Sequence, residues 1–480
     1  MKEMFKFIEP AYKNYSIYVA NRRALPNLID GLKTGQKKIL YTSLKNAKSF
    51  INVAALSGYT KAEANYHHGD TSLNDAISLM AQDFTGSNNY PLFHGEGGFG
   101  NKFGDRPSQA RYIRVKLSEF FYHLFNDKDL PVLEKSYDID DPEPKYYVPI
   151  LPLVLLNGVA GIAVGYSTNI LSFHPLDVIK NIENILAGKK TRVELRPYYK
   201  GYKGKIEKDG DKWVMYGCFE KKGSHTIIIT ELPIGLRFRK SGDGDDESFE
   251  NISEKYKNYL NDLCDNGTIK DWDDLCDEDW CYKIKVSKEF LEQKTDQEII
   301  DIFKLKTNLN ENLNVIWDEK IITYDSTIKL IEDFVKIRLD YYQKRKDYII
   351  YEKLKDILSL LVKYNINKYL VSQKDKTLDK AEILNYLSMR RGKINDYFKG
   401  CLKTNADKLF DIYDSLCEKI LANIKLSELY NDKLQAIQDH IAEVTKECNE
   451  MFDSSVEQLY TEELNEIKKY LKKIDGGLNE

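Results

Sequence analysis

The hydrophobic period of this chain changes once, near Asp325, and that change limits the folds open to it. Beyond it, Ile328, Ile331, Val335, Leu339 and Tyr342, then Ile350, Leu354, Ile357 and Leu361, recur at helical spacing. They predict one long amphipathic helix ending near Leu370. Further on, Leu434, Ile437, Ile441, Val444, Cys448 and Met451 step in the alternating threes and fours of a heptad seam. Ser454 and Glu457 have the spacing of a capping box and predict a restarted helix carrying Leu464, Ile467 and Leu471. Residues 326–371 and 430–474 therefore read as the two arms of a long antiparallel coiled coil, with 372–429 as a small helical domain at its tip. At 1.5 Å per residue, about 45 residues reach roughly 65 Å. A plain helical bundle would satisfy the same seam.

Upstream the pattern is mixed. A chain of 480 residues and 55.8 kDa exceeds one ordinary core. Thr34 to Ala47 carries Ile39, Leu40, Leu44 and Ala47 at helical spacing, and a short helix is expected near Ile51 to Leu56. Asp70 and Thr71 offer N-caps to a helix presenting Leu73, Ile77, Met80 and Phe84. A Gly-rich stretch, Tyr90 to Gly104, then precedes RYIRVKL, which reads as a strand. Short helices followed by a β-wing describe a winged helix-turn-helix over residues 1–130, a DNA-binding design. Residues 131–325, with apolar runs such as VPILPLVLL and HTIIITELP between Gly turns, read as an α/β region. The expected class is α+β, mostly helical.

The formal net charge is −4, so no chain-wide basic field marks a polyanion binder. Charge is local instead. Met1 to Phe50 holds ten bases against three acids, whereas Ser241 to Trp280, with GDGDDES and DWDDLCDED, is acidic. GDGDDES lacks the ligand alternation and closing Glu of a calcium loop and reads as a solvated loop. No run of about eighteen apolar residues predicts a membrane span. MKEMFKFIEPAYKNY lacks a signal-peptide core. The seven cysteines are scattered without a C-x-x-C, which points to a reducing, cytoplasmic compartment.

GEGGFG, Gly95 to Gly100, matches a dinucleotide fingerprint, but NKFGDRPS follows and no helix can open there to meet a pyrophosphate. A wing loop is the better reading. No P-loop for ATP occurs. Asp138, Asp140 and Asp141 have no second acidic cluster to complete a metal site and read as a turn before Pro142. In QARYIRVKL, Tyr112 stands beside Arg111 and two residues before Arg114. On a strand, Tyr112 and Arg114 would share a face. A tyrosine nucleophile needs nearby cations, because its unperturbed pKa is near 10. Taken alone, a Tyr between arginines is more often a core or phosphate-contacting residue.

The company it keeps changes that reading. RALPNLIDGLKTGQKK, YHHGD, GEGGFG with ARYI, NGVAGIAVGYSTNI and IIITELP occur in this order. Together they resemble the conserved elements of the breakage-reunion (A-type) subunit of type IIA DNA topoisomerases. Within that family the likeness is strongest to the medium subunit of T-even-type phage enzymes. The resemblance implies a winged-helix DNA-gate domain, an α/β tower domain, and a coiled coil bearing a C-gate dimerisation domain. It implies Tyr112 as nucleophile for a 5′-phosphotyrosyl link, Arg111 as transition-state stabiliser and His68 as a contact near the scissile phosphate. Arg23, Lys33 and Lys37 would hold the DNA backbone, and Ile162 would wedge between base pairs. Thr71 and Asp75 fall where bacterial enzymes contact drugs. Thr34 and Lys37 depart from the family's Pro and Arg, and lysine loses the bidentate geometry of arginine. The implied partners are double-stranded DNA, a second copy of this chain, and a subunit that binds ATP and carries the acidic TOPRIM domain for Mg2+. The chain alone is expected not to cleave. Because the chain ends soon after the returning helix, no DNA-wrapping tail is expected. The implied setting is a bacterial or phage-infected cytoplasm. A non-catalytic winged-helix DNA binder dimerised by a coiled-coil arm is the principal alternative. A tyrosine recombinase or relaxase would need its own Arg/His or metal–His constellation, and a pure scaffold leaves the N-terminal motifs unexplained.

Overall fold

The computed structural model describes residues 2–136, 139–210, 212–234, 252–373, 379–402, 407–424 and 431–476. Asp138 and the GDGDDES stretch lie outside the described residues. The chain divides into two compact units, residues 1–127, 133–338 and 464–480 in the first, and 128–132 and 339–463 in the second.

The first unit opens with α1 (Lys2–Val19), which the apolar pattern does not single out, and a π-helical turn over Ala20–Ala24. Three helices follow: α2 (Thr34–Asn46), α3 (Val53–Glu63) and α4 (Asp70–Ala81). Ile39, Leu40, Leu56, Leu73 and Ile77 are fully buried between them. The small sheet is β1 (Ile51–Asn52), β2 (Phe93–Glu96) and β3 (Arg114–Leu117), with β3 in the centre. Three expectations shift here. Ile51 and Asn52 form a strand and the helix starts only at Val53. Gly69, not Asp70 or Thr71, is the N-cap of α4, and Phe84 falls beyond its end. RYIRVKL is a strand only from Arg114 onward.

Next come α5 (Glu119–Leu124), α6 (Leu153–Asn157), the hairpin β4 (Val159–Ala163) and β5 (Tyr166–Ile170), and α7 (Pro175–Leu186). Then β6 (Lys205–Asp209), β7 (Lys212–Tyr216), β8 (Cys218–Lys222) and β9 (Thr226–Glu231) lead to α8 (Ile252–Asp265), β10 (Asp271–Asp274) and β11 (Tyr282–Lys285). α9 (Lys288–Gln293), α10 (Asp296–Ile302), β12 (Lys306–Leu309), β13 (Leu313–Trp317) and β14 (Lys320–Tyr324) complete the region. The sheets are antiparallel, ordered β10-β11-β9-β8 and β12-β7-β6. Ile227, Ile229, Leu260, Tyr282, Ile284 and Phe303 form the core beneath the first of them.

The long helix is continuous: α11 (Thr327–Ser372) runs 46 residues. α12 (Lys380–Cys401), α13 (Tyr413–Ala422), α14 (Asn431–Asp453) and α15 (Val456–Gly476) follow. Within the second unit, Lys346 meets Phe452, Lys353 meets Glu447 and Tyr364 meets Gln438. Partner numbers fall as α11 numbers rise, so α11 and α14 pair antiparallel. Ile357, Val362, Ile366, Phe398, Tyr413 and Cys448 are buried in their shared core. Arg345 bridges Asp129 (3.3 Å) and Glu463 (2.7 Å), and Tyr342 donates to Glu463 (2.6 Å). The capping box sits one residue later than the sequence spacing suggests. Ser455 N–H donates to Gln458 Oε1 (2.9 Å) and Gln458 N–H to Ser455 Oγ (3.1 Å). Ser454 instead donates its hydroxyl back to the Glu450 carbonyl (2.8 Å), so it continues α14 rather than starting α15. The Lys346 ammonium donates to the carbonyls of Phe452 (3.0 Å) and Ser454 (2.6 Å) across the same break.

Asp30 fastens the first unit. It is fully buried and accepts N–H bonds from Leu32 (2.9 Å) and Tyr147 (3.1 Å). Gly31 beside it has φ +68°, and a Cβ there would lie 2.7 Å from the Val154 nitrogen. Burial raises the Asp30 carboxyl to about 6, opposed by the charge of Lys37 and by its hydrogen bonds. The unfolded value is lower, near 3.8. The folded state therefore holds the proton more tightly, and this group's contribution is fully present below about pH 4 and lost as pH rises through about 6. Asp30→Ala leaves two buried donors unpaired and is expected to destabilise by about 2–4 kcal/mol. Asp30→Asn is expected to remove the part of the pH 4–7 stability slope that belongs to this carboxyl. Denaturant unfolding of the variants against the parent checks both.

Candidate functional site

Tyr112 lies in the turn that enters β3, not on the strand. Its N–H donates to the Gln109 carbonyl (2.8 Å), closing the turn. The three residues after it alternate as a strand should: Ile113 and Val115 are buried, while Arg114 is exposed. Released from that alternation, Tyr112 points outward and is 71% exposed. Among the described residues its hydroxyl makes no hydrogen bond. The guanidinium of Arg111, also exposed, lies 5.8 Å from the Tyr112 ring centroid. Arg114 is committed elsewhere, to Glu96 (2.9 Å) and to the Phe50 carbonyl (3.2 Å).

The turn is held by the N-terminus of α3. The first amides of a helix have no partner within it. Here Val53 N–H donates to the Ile113 carbonyl (3.1 Å) and Ala54 N–H to the Ala110 carbonyl (3.1 Å). Asn52, the N-cap, turns its amide outward to the Arg111 carbonyl (2.7 Å). Gly97, at φ +106°, packs against the Ile113 side chain, so the Gly-rich segment buttresses the turn and opens no helix.

A second group of residues gathers around the π-helical turn. Arg23 is exposed, and its Nη2 lies 3.0 Å from His68 Nδ1. Guanidinium has no acceptor, so Arg23 donates and His68 Nδ1 accepts. In that contact Nδ1 is the acceptor, which leaves Nε2 as the ring nitrogen able to donate. Tyr66 packs edge-on against the imidazole at 5.3 Å. His67 is exposed. Thr71 is exposed in the first turn of α4, and Asp75 is half-buried on the next.

The β4–β5 hairpin belongs to this group. Ile162 is 64% exposed at its outer end. A Cβ on Gly161 would fall 1.9 Å from the Ala24 carbonyl oxygen, so only glycine lets the hairpin lie this close to the turn bearing Arg23. Lys33 donates from Nζ to the Ala160 carbonyl (3.1 Å), tying α2 to the same hairpin. From the other side, Asn314 and Asn312 donate to the Ser167 carbonyl (2.7 and 2.8 Å). Lys37 is half-buried and donates to the Lys145 carbonyl (2.8 Å), which turns its ammonium inward. Lys38 is buried between Asp141 (2.6 Å) and Glu143 (2.8 Å). Burial pushes the Glu143 carboxyl up, and Lys38 opposes that shift.

The structure thus joins Arg23 with His68, the Ile162 hairpin with Lys33, and Tyr112 with Arg111. Sequence reasoning missed Asn52, Asp30 and the Asn312–Asn314 support. Only Asn52 had a local signal, as an N-cap residue before a helix. Among the described residues no group of three or more His, Cys, Asp or Glu side chains is placed to hold a metal ion. No helix of the described residues is long and apolar enough to cross a membrane.

The family model for the A-type subunit of DNA gyrase/topoisomerase IV matches residues 23–468. The mitochondrial DNA topoisomerase 2 of Dictyostelium discoideum is 33% identical over 479 residues, covering 98% of this chain and 35% of the relative. DNA topoisomerase 2 of Candida albicans is 35% identical over 342 residues, 68% of this chain and 22% of the relative. The chain therefore spans about a third or less of these curated relatives. A solved Plasmodium falciparum topoisomerase II DNA-binding, cleavage and re-ligation domain superimposes with a TM-score of 0.78 at 27% identity. That match covers 97% of this chain and 64% of the other.

Gly161→Ala is expected to lever the hairpin off the Ala20–Ala24 turn. Hydrogen exchange should rise in residues 159–170 while α11 amides stay protected; unchanged exchange in the hairpin would contradict the contact.

Proposed function

Because the chain belongs to the family of DNA gyrase/topoisomerase IV A-type subunits, we propose that it is the DNA-cutting and resealing subunit of a type II topoisomerase. The observation that carries this reading is Tyr112, an exposed phenol on a braced turn with Arg111 beside it. In the proposed reaction the Tyr112 oxygen attacks a backbone phosphorus as its proton leaves. The bond from phosphorus to the 3′-oxygen breaks, and that oxygen takes up a proton. A 5′-phosphotyrosyl link replaces a phosphodiester, so the exchange is nearly neutral in energy and runs backward to reseal. Catalysis then rests on positioning and on charge stabilisation.

Arg111 supplies positive charge to the equatorial oxygens. His68, fixed by Arg23 with its proton on Nε2, supplies a donor for a phosphate oxygen near the cut. Arg23 itself contacts the backbone, and Lys33 and Lys37 add charge from behind their carbonyl contacts. Ile162, apolar and outward on an anchored hairpin, enters a base step and bends the duplex, as apolar wedges do elsewhere. The drug-contact role of Thr71 and Asp75 is part of the same proposal.

The described residues do not fit Mg2+, so no step is routed through it. Mg2+ and ATP are assigned to a partner subunit with an ATPase and an acidic TOPRIM domain. Cutting both strands needs two tyrosines, hence two copies of this chain, closed through residues 372–429. In this reading 1–130 is the DNA gate, 131–325 the tower, and 326–371 with 430–474 the coiled-coil arm. The finer assignment is a separately encoded medium subunit of the T-even phage type, working in bacterial or phage-infected cytoplasm.

Tyr112→Phe, mixed with the partner subunit, Mg2+ and a labelled duplex, is expected to trap no protein on cut ends while binding DNA within about twofold of the parent, since phosphate contacts supply most affinity. If the parent complex also traps none through residue 112, the reading fails. The chain alone with Mg2+ is expected to leave supercoiled plasmid unrelaxed. Efficient relaxation would overturn the assignment of the metal site to the partner.

A further inference from the structure

Asn52 stands at the N-cap of α3, where an asparagine side chain ordinarily accepts a hydrogen bond from the second or third helical amide. It makes no such bond here, although its backbone, φ −62° and ψ 139°, is the one capping uses. Its Nδ2 donates instead to the Arg111 carbonyl at 2.7 Å. That carbonyl belongs to the peptide unit joining Arg111 to Tyr112. The neighbouring carbonyls of Ala110 and Ile113 are held by the first two helical amides of α3. Three successive donors of one helix end therefore grip three carbonyls of one turn, and the first, on the Arg111 carbonyl, is a side chain that gives up its usual task.

The grip matters because of what the turn lacks. Among the described residues the Tyr112 hydroxyl makes no hydrogen bond, and the ring is mostly exposed. Nothing at the ring's far end sets its direction. The direction of its Cα–Cβ bond is set by the backbone, and the orientation of the 111–112 peptide plane is one of the determinants. The same plane also fixes where Arg111 leaves the chain.

We propose that Asn52 is a positioning residue for the nucleophile: its amide, bonded to the Arg111 carbonyl, orients the peptide unit that aims both Tyr112 and Arg111. This rests on the reading of Tyr112 as the attacking group. It assigns Asn52 no contact with DNA and no proton transfer. Loss of the donor leaves the 111–112 peptide held through its N–H end alone, by the Tyr112 bond to the Gln109 carbonyl (2.8 Å), so its carbonyl end can tilt. The helix and the sheet register stay in place, because the Val53 and Ala54 amides and the β1–β3 pairing of Asn52 with Arg114 do not use the side chain.

The test uses the chain with its partner subunit, Mg2+ and a duplex with one cleavage position. Three quantities are measured: the rate of covalent adduct formation at saturating DNA, the DNA dissociation constant, and the thermal midpoint of the chain. Asn52→Asp keeps the shape but removes the donor; Asn52→Ala removes both; Asn52→Gln keeps an amide donor on a longer stem. Misplacing reacting groups by about 1 Å can slow a reaction on the order of a hundredfold, so Asp and Ala are expected to slow adduct formation by about 10- to 100-fold. DNA affinity should stay within about twofold, set as it is by phosphate contacts, and the midpoint within about 2 °C. Gln should recover most of the rate. An Asp variant that forms adduct at the parental rate overturns the proposal. So does a loss of rate accompanied by equal losses of affinity and midpoint, which marks a purely structural role. If the parent forms no adduct through residue 112, the reading of Tyr112 fails first and the positioning role falls with it.

Discussion

A single carboxylate that never meets water ties together the parts of the first unit on which the site stands. Asp30 collects the amide of Leu32 within its own turn and the amide of Tyr147 from a segment more than a hundred residues away. Close by, Lys38 is buried against Asp141 and Glu143. Buried ionic groups are weak contributors to net stability but strongly disfavour alternatives that leave one of them unpaired. These contacts therefore act on register more than on energy. They fix where α2 starts relative to the segment before α6, and with it where Lys33 and the β4–β5 hairpin meet.

From that frame the site is built by backbone contacts more than by side chains reaching for one another. Gly161 passes within van der Waals range of Ala24, so the hairpin bearing Ile162 and the turn bearing Arg23 are set by one close approach. Arg23 in turn bonds Nδ1 of His68. The turn bearing Tyr112 is held by the open end of α3. Ile162 and Tyr112 are placed by rigid elements while their own side chains stay exposed. Such a division suits phosphoryl transfer, where geometry and fixed charge supply most of the catalysis.

Much of this was legible in the amino-acid order. The long helix, the antiparallel return and the winged three-helix pattern all show as apolar periodicity, because large buried faces repeat. The elements that carry RYI, YHH and NGVAGIAVG are legible only as a set, through resemblance. What escaped was set by hydrogen bonds that periodicity does not encode. RYIRVKL reads as seven residues of strand, yet the carbonyls of Ala110, Arg111 and Ile113 are claimed by α3, and the ladder begins only at Arg114. Ser454 and Ser455 are adjacent, and each has a polar residue three positions on; only the geometry of the α14 end decides that Ser455 caps. Lys33 and Lys37 look like free phosphate ligands in sequence, whereas their ammonium groups reach the Ala160 and Lys145 carbonyls. Lysine's long stem lets it serve inward as readily as outward.

The interruption between α14 and α15 has a mechanical consequence. Where a helix stops, freed carbonyls and amides usually leave a soft joint. Here Lys346 reaches across from the opposite helix of the arm to hold the carbonyls on one side, and Ser455 with Gln458 satisfies the amides on the other. Such a joint interrupts the helix while leaving these backbone groups bonded. Tension or torsion applied along the returning arm would meet a spliced joint, and the Lys346 ammonium is the part of the splice supplied by the opposite helix.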